Sequence, residues 1–430
     1  MKILIIDMTH GGDLLALEYA ERENEVTCFD CYGTSSEEEK AILEKKGIRC
    51  MNIAPDEDFD LLVSPIHCPD SFISNARYES RKTFHQAVGE LVVFRGRIFE
   101  VTGARGKTTT CHVLSYVLNR FGRTIAQLSS RGIHFYDDGI EVIEEGVSIA
   151  PPSILKVSKL ELPYDHWVLE VSLGGTGLAD VGIITTLGEN YPIAAGSRTA
   201  FDGKKQMMNL TKKIAVFPEE EREIWAPQIP PGIWISTFGE GGNVNGIVDG
   251  PLELGREVGV KFKCHPVGEF STTLKGNFLV PIYLRPMAAV LTGLKSCGIP
   301  MPQLCEALKD FPGAPGRGEV YKEGDTWIVK DHNPGVSGHS IEFEISVLEK
   351  FYGAEDVGLV IEPTSKRVRE KLDLKEMDLI FDVHDSIKGA YLLNPEGKEK
   401  EVKNFTSIQD IGEVLDKHPI ILWCTKEGFI

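Results

Sequence analysis

No apolar run in this chain of 430 residues reaches membrane-spanning length. The opening Met1-Lys-Ile-Leu-Ile-Ile-Asp7 is too short, and too soon closed by an acid, for a signal peptide. It reads as a first β-strand, and the expected compartment is the cytoplasm. Surplus positive charge is also missing. A net charge of −18 argues against nucleic acid or an anionic membrane as the main partner. Nine cysteines, an odd number, show no disulfide rhythm, as expected in a reducing compartment. Cys28-x-x-Cys31 lacks a second such pair to complete a tetrahedral metal set, and Cys68 follows His67 some way on, so buried thiols are expected there. What is present, 42% hydrophobic and 26% charged residues, describes a globular protein long enough for two or three domains.

The rest of the chain is arranged around Val101-Thr-Gly-Ala-Arg-Gly-Lys-Thr-Thr-Thr110. Arg97 to Thr102 is rich in β-branched and aromatic residues and reads as a buried strand. Val113, Leu114, Val117, Leu118 and Phe121 then recur at helical spacing until Gly122 supplies a stop. Between strand and helix, Gly103 and Gly106 let backbone N–H groups close around an anion at the helix start. Lys107 can reach the outer phosphates and the Thr108 hydroxyl can ligate Mg²⁺. The eight-residue Walker form is absent, because Val101 stands where its first glycine would be. The shorter G-x-x-G-K-T, set between a strand and a helix, favours a nucleotide-phosphate site over a glycine turn with a chance lysine.

With Thr108-Thr109 following, this short form resembles the Mur ligase family of ATP-dependent peptide ligases, folylpolyglutamate synthases and their relatives. The family usually has Asn before the second glycine; here Arg105 stands, as in some poly-γ-glutamate synthases. The resemblance implies an α/β protein of three domains, each a mostly parallel sheet with helices. A Rossmann-like substrate domain would span 1–92, a central P-loop ATP-binding domain 93–313, and a third α/β domain 314–430. ATP would be held by Gly103, Ala104, Arg105, Gly106, Lys107, Thr108 and Thr109, with Mg²⁺ as its partner ion.

Other stretches extend the likeness. Tyr164 to Ser172 reads as a strand with Glu170 near its tip, well placed beside a P-loop to hold Mg²⁺ directly or through water. Glu170-Val-Ser172 matches the family's metal-binding Glu-x-Ser. Val181 to Thr186 is a further strand, leading into Glu189-Asn190 where the family has Asp-His. Asparagine is the weaker metal ligand. Lys205, with Lys204 beside it, falls at the spacing of a lysine that several members carbamylate to organise the metals; an exposed structural lysine is the equal alternative. Ala288-Ala289 fit the family's adenine motif, but Arg285 replaces its second asparagine, so adenine contacts do not carry over.

Phe311-Pro-Gly-Ala-Pro-Gly-Arg-Gly-Glu319 is rich in glycine and proline and reads as a hinge. It matches the family's Pro-Gly-Arg-x-Glu and makes Arg317 a candidate for contacting nucleotide on closure. Thr326 to Lys330 reads as a strand before Asp331-His-Asn-Pro334, which is like the family's Asp-x-x-His-Asn-Pro. His332 carries over as catalytic, and Asp331 and Asn333 as nucleotide contacts. The tail is expected to hold a helix over Ser340 to Phe351, strands over Asp356 to Ile361 and Asp378 to Val383, a helix over Ile408 to Leu415, and a strand over Pro419 to Cys424.

In residues 1–92, strands over Lys2 to Asp7, Glu25 to Asp30 and Asp60 to Ser64 alternate with helices over Leu14 to Arg22 and Thr83 to Leu91, which implies a parallel sheet. Thr9-His10-Gly11-Gly12 lies at the carboxyl edge, where such sheets bind ligands; a plain tight turn and a substrate contact stand level. The short chain, the missing Asp-His element and this turn together resemble a methanogen branch that closes the last ring of the nickel tetrapyrrole coenzyme F-430. There ATP activates an acid side chain, which a carbon then attacks, forming a carbon–carbon bond. The expected partner is therefore a small-molecule carboxylic acid, a nickel tetrapyrrole, bound between the amino-terminal and central domains. Its carboxylates would meet His10, Gly11 and Gly12, or Arg131 and His134. The alternatives are an archaeal peptide ligase acting on a cell-wall or poly-glutamate precursor, and a non-ligating ATP-dependent switch.

Overall fold

The computed structural model describes residues 1–362, 372, 376–394 and 404–426. They divide into two compact units, Met1–Lys107 with Gly122–Thr237, and Thr108–Phe121 with Phe238–Ile430.

The first unit opens with the strand Lys2–Ile6. Ile3 to Ile6 are fully buried, the unbroken apolar run expected of a parallel strand covered on both faces. Glu25–Phe29 and then Arg49–Met51 pair beside it on one side, and Asp58–Ser64 and then Arg77–Thr83 on the other, all parallel. The chain therefore reverses its direction of sheet growth between Lys2–Ile6 and Asp58–Ser64. Open α/β sheets bind ligands outside the carboxyl ends of the strands at such a point. The helix Phe84–Leu91 starts at a Thr83–Gln86 capping box and buries Phe84, Ala87, Val88 and Leu91.

A second sheet in this unit centres on Arg97–Thr102, which lies parallel between His166–Glu170 and Val181–Ile184. Ile125–Ser129 continues it in parallel, and Gly132–Tyr136 and Ile140–Glu144 add an antiparallel edge. One apolar cluster joins the two sheets through Ile3, Ile5, Leu61, Val63, Leu128, Trp167 and Leu169.

In the second unit, Val244–Val248, Val258–Cys264 and Gly268–Leu274 form an antiparallel meander. Val258–Cys264 alternates buried and exposed residues, as a strand covered on one face should. The other sheet pairs Glu319–Glu323 antiparallel with Thr326–His332, followed in parallel by Ile420–Thr425, Val357–Glu362, Ile387–Leu393 and Thr406–Ile408. The helix Gly338–Tyr352 ends where Gly353 takes φ 61°. The whole is a multi-domain α/β fold with mostly parallel sheets.

Three expectations are corrected. Asp378 to Val383 is not a strand but the end of the helix Glu376–Val383. Met377 and Ile380 recur at helical spacing and are both buried. Ile408 to Leu415 is not a helix: Ile408 closes a strand against Leu393, and Asp410 then caps a short 3₁₀ turn, Ile411–Glu413. The strand expected to stop at Lys330 runs on to His332, which carries Asp331 and His332 inside the sheet.

Candidate nucleotide and substrate sites

The glycine turn is locked by the neighbouring strand. Gly103 takes φ 143°, and a Cβ built there would lie 2.0 Å from Thr185 Oγ1, so no side chain fits. The Thr185 hydroxyl donates to the Arg105 carbonyl at 2.5 Å, and the Ala104 N–H donates to the Thr186 carbonyl at 2.9 Å. Gly106, at φ 77°, completes the turn. The helix Lys107–Arg120 follows at once, with Thr108 and Thr109 buried in its first turn. The backbone is thus preorganised for an anion at a helix start. Arg105 stays exposed. Desolvation lowers its pKa and the charge of Glu189 opposes that, so two departures from the family pattern face each other.

The lysine pair separates. Ala200, Gly203, Lys204, Met207 and Met208 form the buried stripe of the helix Ala200–Leu210. Lys204 Nζ donates to the Leu187 carbonyl at 2.8 Å, and burial followed by the nearby Lys107 charge lowers its pKa to about 8. Lys205 instead pairs with Asp202 at 2.8 Å near the surface. The spacing named Lys205 with Lys204 beside it; the phase of the apolar stripe marks Lys204 as the inward one. Asn190 Oδ1 accepts the Phe201 N–H at 2.9 Å, so its carboxamide is occupied in starting this helix.

Glu170 is buried at the end of its strand, where Oε2 accepts the Ser130 N–H at 2.9 Å. The hairpin tip that makes this contact also carries Arg131, whose N–H donates to Ser129 Oγ at 3.2 Å. His134 behaves differently. It lies within the strand Gly132–Tyr136 opposite Gln127 and is buried, which lowers its pKa. Glu100 was not foreseen. This fully buried acid accepts the N–H of Thr176 at 3.0 Å and the Thr176 hydroxyl, and burial raises its pKa to about 7 against those bonds.

In the second unit, Arg317 Nη2 donates to the Thr108 hydroxyl at 3.4 Å. Tyr283 fixes the arginine's backbone by donating to the Arg317 carbonyl at 2.7 Å. Asp331 and Glu344 are both buried beside it. Burial raises both carboxyls, most of all Glu344, while the Arg317 charge pulls both down. Asn333 Nδ2 donates to Asp331 Oδ1 at 2.7 Å, which ties two predicted nucleotide contacts together. His332 is buried edge-on to Trp423, with Nε2 3.1 Å from the Thr425 hydroxyl.

No family model matches the chain. The curated protein "Coenzyme F(430) synthetase" of Methanosarcina acetivorans is 29% identical over 379 residues, 81% of this chain and 80% of that protein. Its namesake in Methanocaldococcus jannaschii is 33% identical over 216 residues, covering 47% of this chain and 48% of that protein. Among solved structures, the MurF ligase from Thermotoga maritima in complex with ADP has a TM-score of 0.60 at 15% identity, covering 97% of this chain and 95% of that one. The chain shares the fold of the Mur ligases. It is an ATP-dependent ligase, similar in sequence to the two synthetases and in fold to the Mur ligases. The Thr108 hydroxyl and the Glu170 carboxylate are each oxygen donors of the kind Mg²⁺ takes.

At the amino-terminal sheet, the Thr9 to Gly12 turn forms an irregular helical turn, Met8–Gly12, with Gly11 at φ 91°. A Cβ at Gly11 would lie 2.9 Å from Pro152 Cβ. Asp7, 1% exposed and at φ 79°, accepts the Thr9 N–H at 2.8 Å through Oδ1. Its Oδ2 lies 2.5 Å from His10 Nδ1. His10, Gly11 and Gly12 therefore form one turn at the sheet's reversal point. No helix among the described residues is long and apolar enough to cross a membrane.

Proposed function

We propose that this ligase closes the final carbocyclic ring of the nickel tetrapyrrole coenzyme F-430. A substrate carboxylate oxygen attacks the γ-phosphorus of ATP and ADP departs, leaving an acyl phosphate. A carbon of the same substrate attacks the acyl carbon; the bond to phosphate breaks and the attacking carbon loses its proton. The net change is loss of water from the acid, with ATP converted to ADP and phosphate. Residues 1–92 take the acid, 93–313 take ATP, and 314–430 supply further nucleotide contacts.

Lys107 would hold the outer phosphate oxygens, and Arg317, 3.4 Å from the Thr108 hydroxyl, would add positive charge there. Thr108 and Glu170 would hold Mg²⁺, which supplies charge neutralisation when bound. Asp331 and Asn333 would contact nucleotide, with His332 beside them. A lysine carbamate would form more readily on Lys204, whose lowered pKa leaves more neutral amine, than on ion-paired Lys205. The observation carrying the reading is the 29% identity to a coenzyme F(430) synthetase across 81% of the chain. Protein, Mg-ATP and the nickel tetrapyrrole acid incubated with hydroxylamine should yield an acyl hydroxamate. Unconsumed ATP and no hydroxamate would overturn it.

A further inference from the structure

The strand reversal in the amino-terminal sheet gathers three groups that nucleotide chemistry does not use. Asp7 and His10 follow the strand Lys2–Ile6, and His67 follows Asp58–Ser64, the neighbouring parallel strand. One ligand-type atom from each of the three lies within 4.8 Å of those of the other two. The His10 and His67 rings meet edge-on with centroids 4.7 Å apart.

The roles within the cluster are unequal. Asp7 Oδ2 lies 2.5 Å from His10 Nδ1, so a buried carboxylate holds this imidazole in place. A carboxylate holding one imidazole nitrogen while the other faces a metal is the usual support for a histidine ligand. The Asp7 side chain is 1% exposed, whereas that of His10 is 43% exposed, so the anion is buried and the imidazole reaches solvent. A buried anion behind two imidazoles attracts a cation, and nitrogen donors select zinc, nickel or cobalt over Mg²⁺. Around the cluster, Tyr32 packs edge-on to His10 at 6.0 Å and to Phe72 at 5.4 Å. Tyr32 is 41% exposed and adds an aromatic face beside His10.

We propose that His10 and His67, with Asp7 behind His10, bind a borderline divalent metal centre. The centre is either a free ion or the metal at the middle of a flat macrocycle lying against the Tyr32 face. The second source rests on the function proposed above; the first does not.

Two arms of one experiment separate these sources. Tag-free protein without nucleotide is titrated with Co²⁺ and Ni²⁺, following the visible d–d bands and the bound metal by equilibrium dialysis. Separately it is titrated with the nickel tetrapyrrole acid, following its visible spectrum. A free-ion site binds about one equivalent. It weakens roughly 10- to 100-fold in Asp7→Asn, the usual range for a supporting residue, and at least as much in His10→Gln and His67→Gln. The exposed imidazole makes His10→Gln the variant safest for the fold. If free ions do not bind, a shift of the tetrapyrrole spectrum that disappears in His10→Gln assigns the site to the macrocycle's metal. Neither signal, or signals unchanged in both histidine variants, overturns the proposal. No arm requires turnover, so a failed ligase reading leaves the free-ion result standing.

Discussion

Arg317 reaches the Thr108 hydroxyl at 3.4 Å, although 209 positions separate the two in sequence. The contact joins the glycine-rich Pro315–Glu319 segment to the first turn of the helix that follows the phosphate turn. Charge from a distant segment therefore sits beside a residue expected to meet Mg²⁺ and phosphate. Arg317→Ala should lower kcat by about 10²- to 10³-fold, the range for losing one preorganised donor to developing charge. Arg317→Lys should recover only part, since the charge returns without the planar fork. Steady-state ADP release checks both; full activity in Arg317→Ala would remove the residue from the reaction.

Lys107→Ala should abolish ADP formation by a similar or larger factor while leaving the far-UV spectrum and melting temperature unchanged. Lys107 is half-buried at the start of its helix, and Gly103 and Thr185 hold the turn without it. Near-normal turnover in this variant would contradict the nucleotide assignment of the turn.

Glu170→Gln should raise the Mg²⁺ concentration for half-maximal activity by roughly tenfold or more, equivalent to about 1.4 kcal/mol. The carboxamide can still accept the Ser130 N–H but has lost the charge that attracts the cation. An unchanged Mg²⁺ titration would take Glu170 out of the metal site.

Glu100 makes stability depend on pH. Burial raises its folded pKa to about 7 from the ordinary 4.5, so the folded protein holds its proton more tightly than the unfolded chain. That stabilisation is complete below about 4.5 and is lost as pH rises through about 7. The difference is on the order of 3 kcal/mol at about 1.4 kcal/mol per pKa unit. Glu100→Gln should flatten the denaturant midpoint between pH 5 and 8 relative to the parent, within roughly the span of those two pKa values. A parent and variant with the same pH dependence would show that Glu100 does not titrate there.

Much of this architecture is readable from residue pattern. Ile3 to Ile6, the strand before Gly103 and the helix after it announce themselves by apolar runs and spacing. Gly103 and Gly106 do so because the turn demands positive φ. The misread tail segments are short, and there local pattern loses to partners. Asp378 to Val383 has an apolar content that suits strand or helix, and the burial of Met377 and Ile380 decides for helix. Lys204 and Lys205 look alike in sequence; the phase of Ala200, Gly203, Met207 and Met208 separates them. Asp7 was invisible as a partner of His67, because their approach depends on which strands are neighbours. The same holds for Arg317 and Thr108.

The central claim is ring closure by an ATP-dependent ligase. Its most direct measurement mixes the protein with Mg-ATP and the nickel-containing seco-acid in the absence of any amine, following product mass and ADP together. The account predicts loss of one water from the acid, with ADP formed in step. ADP formation and product appearing only when an amino acid is added would contradict it and assign the chain to amide-bond formation instead.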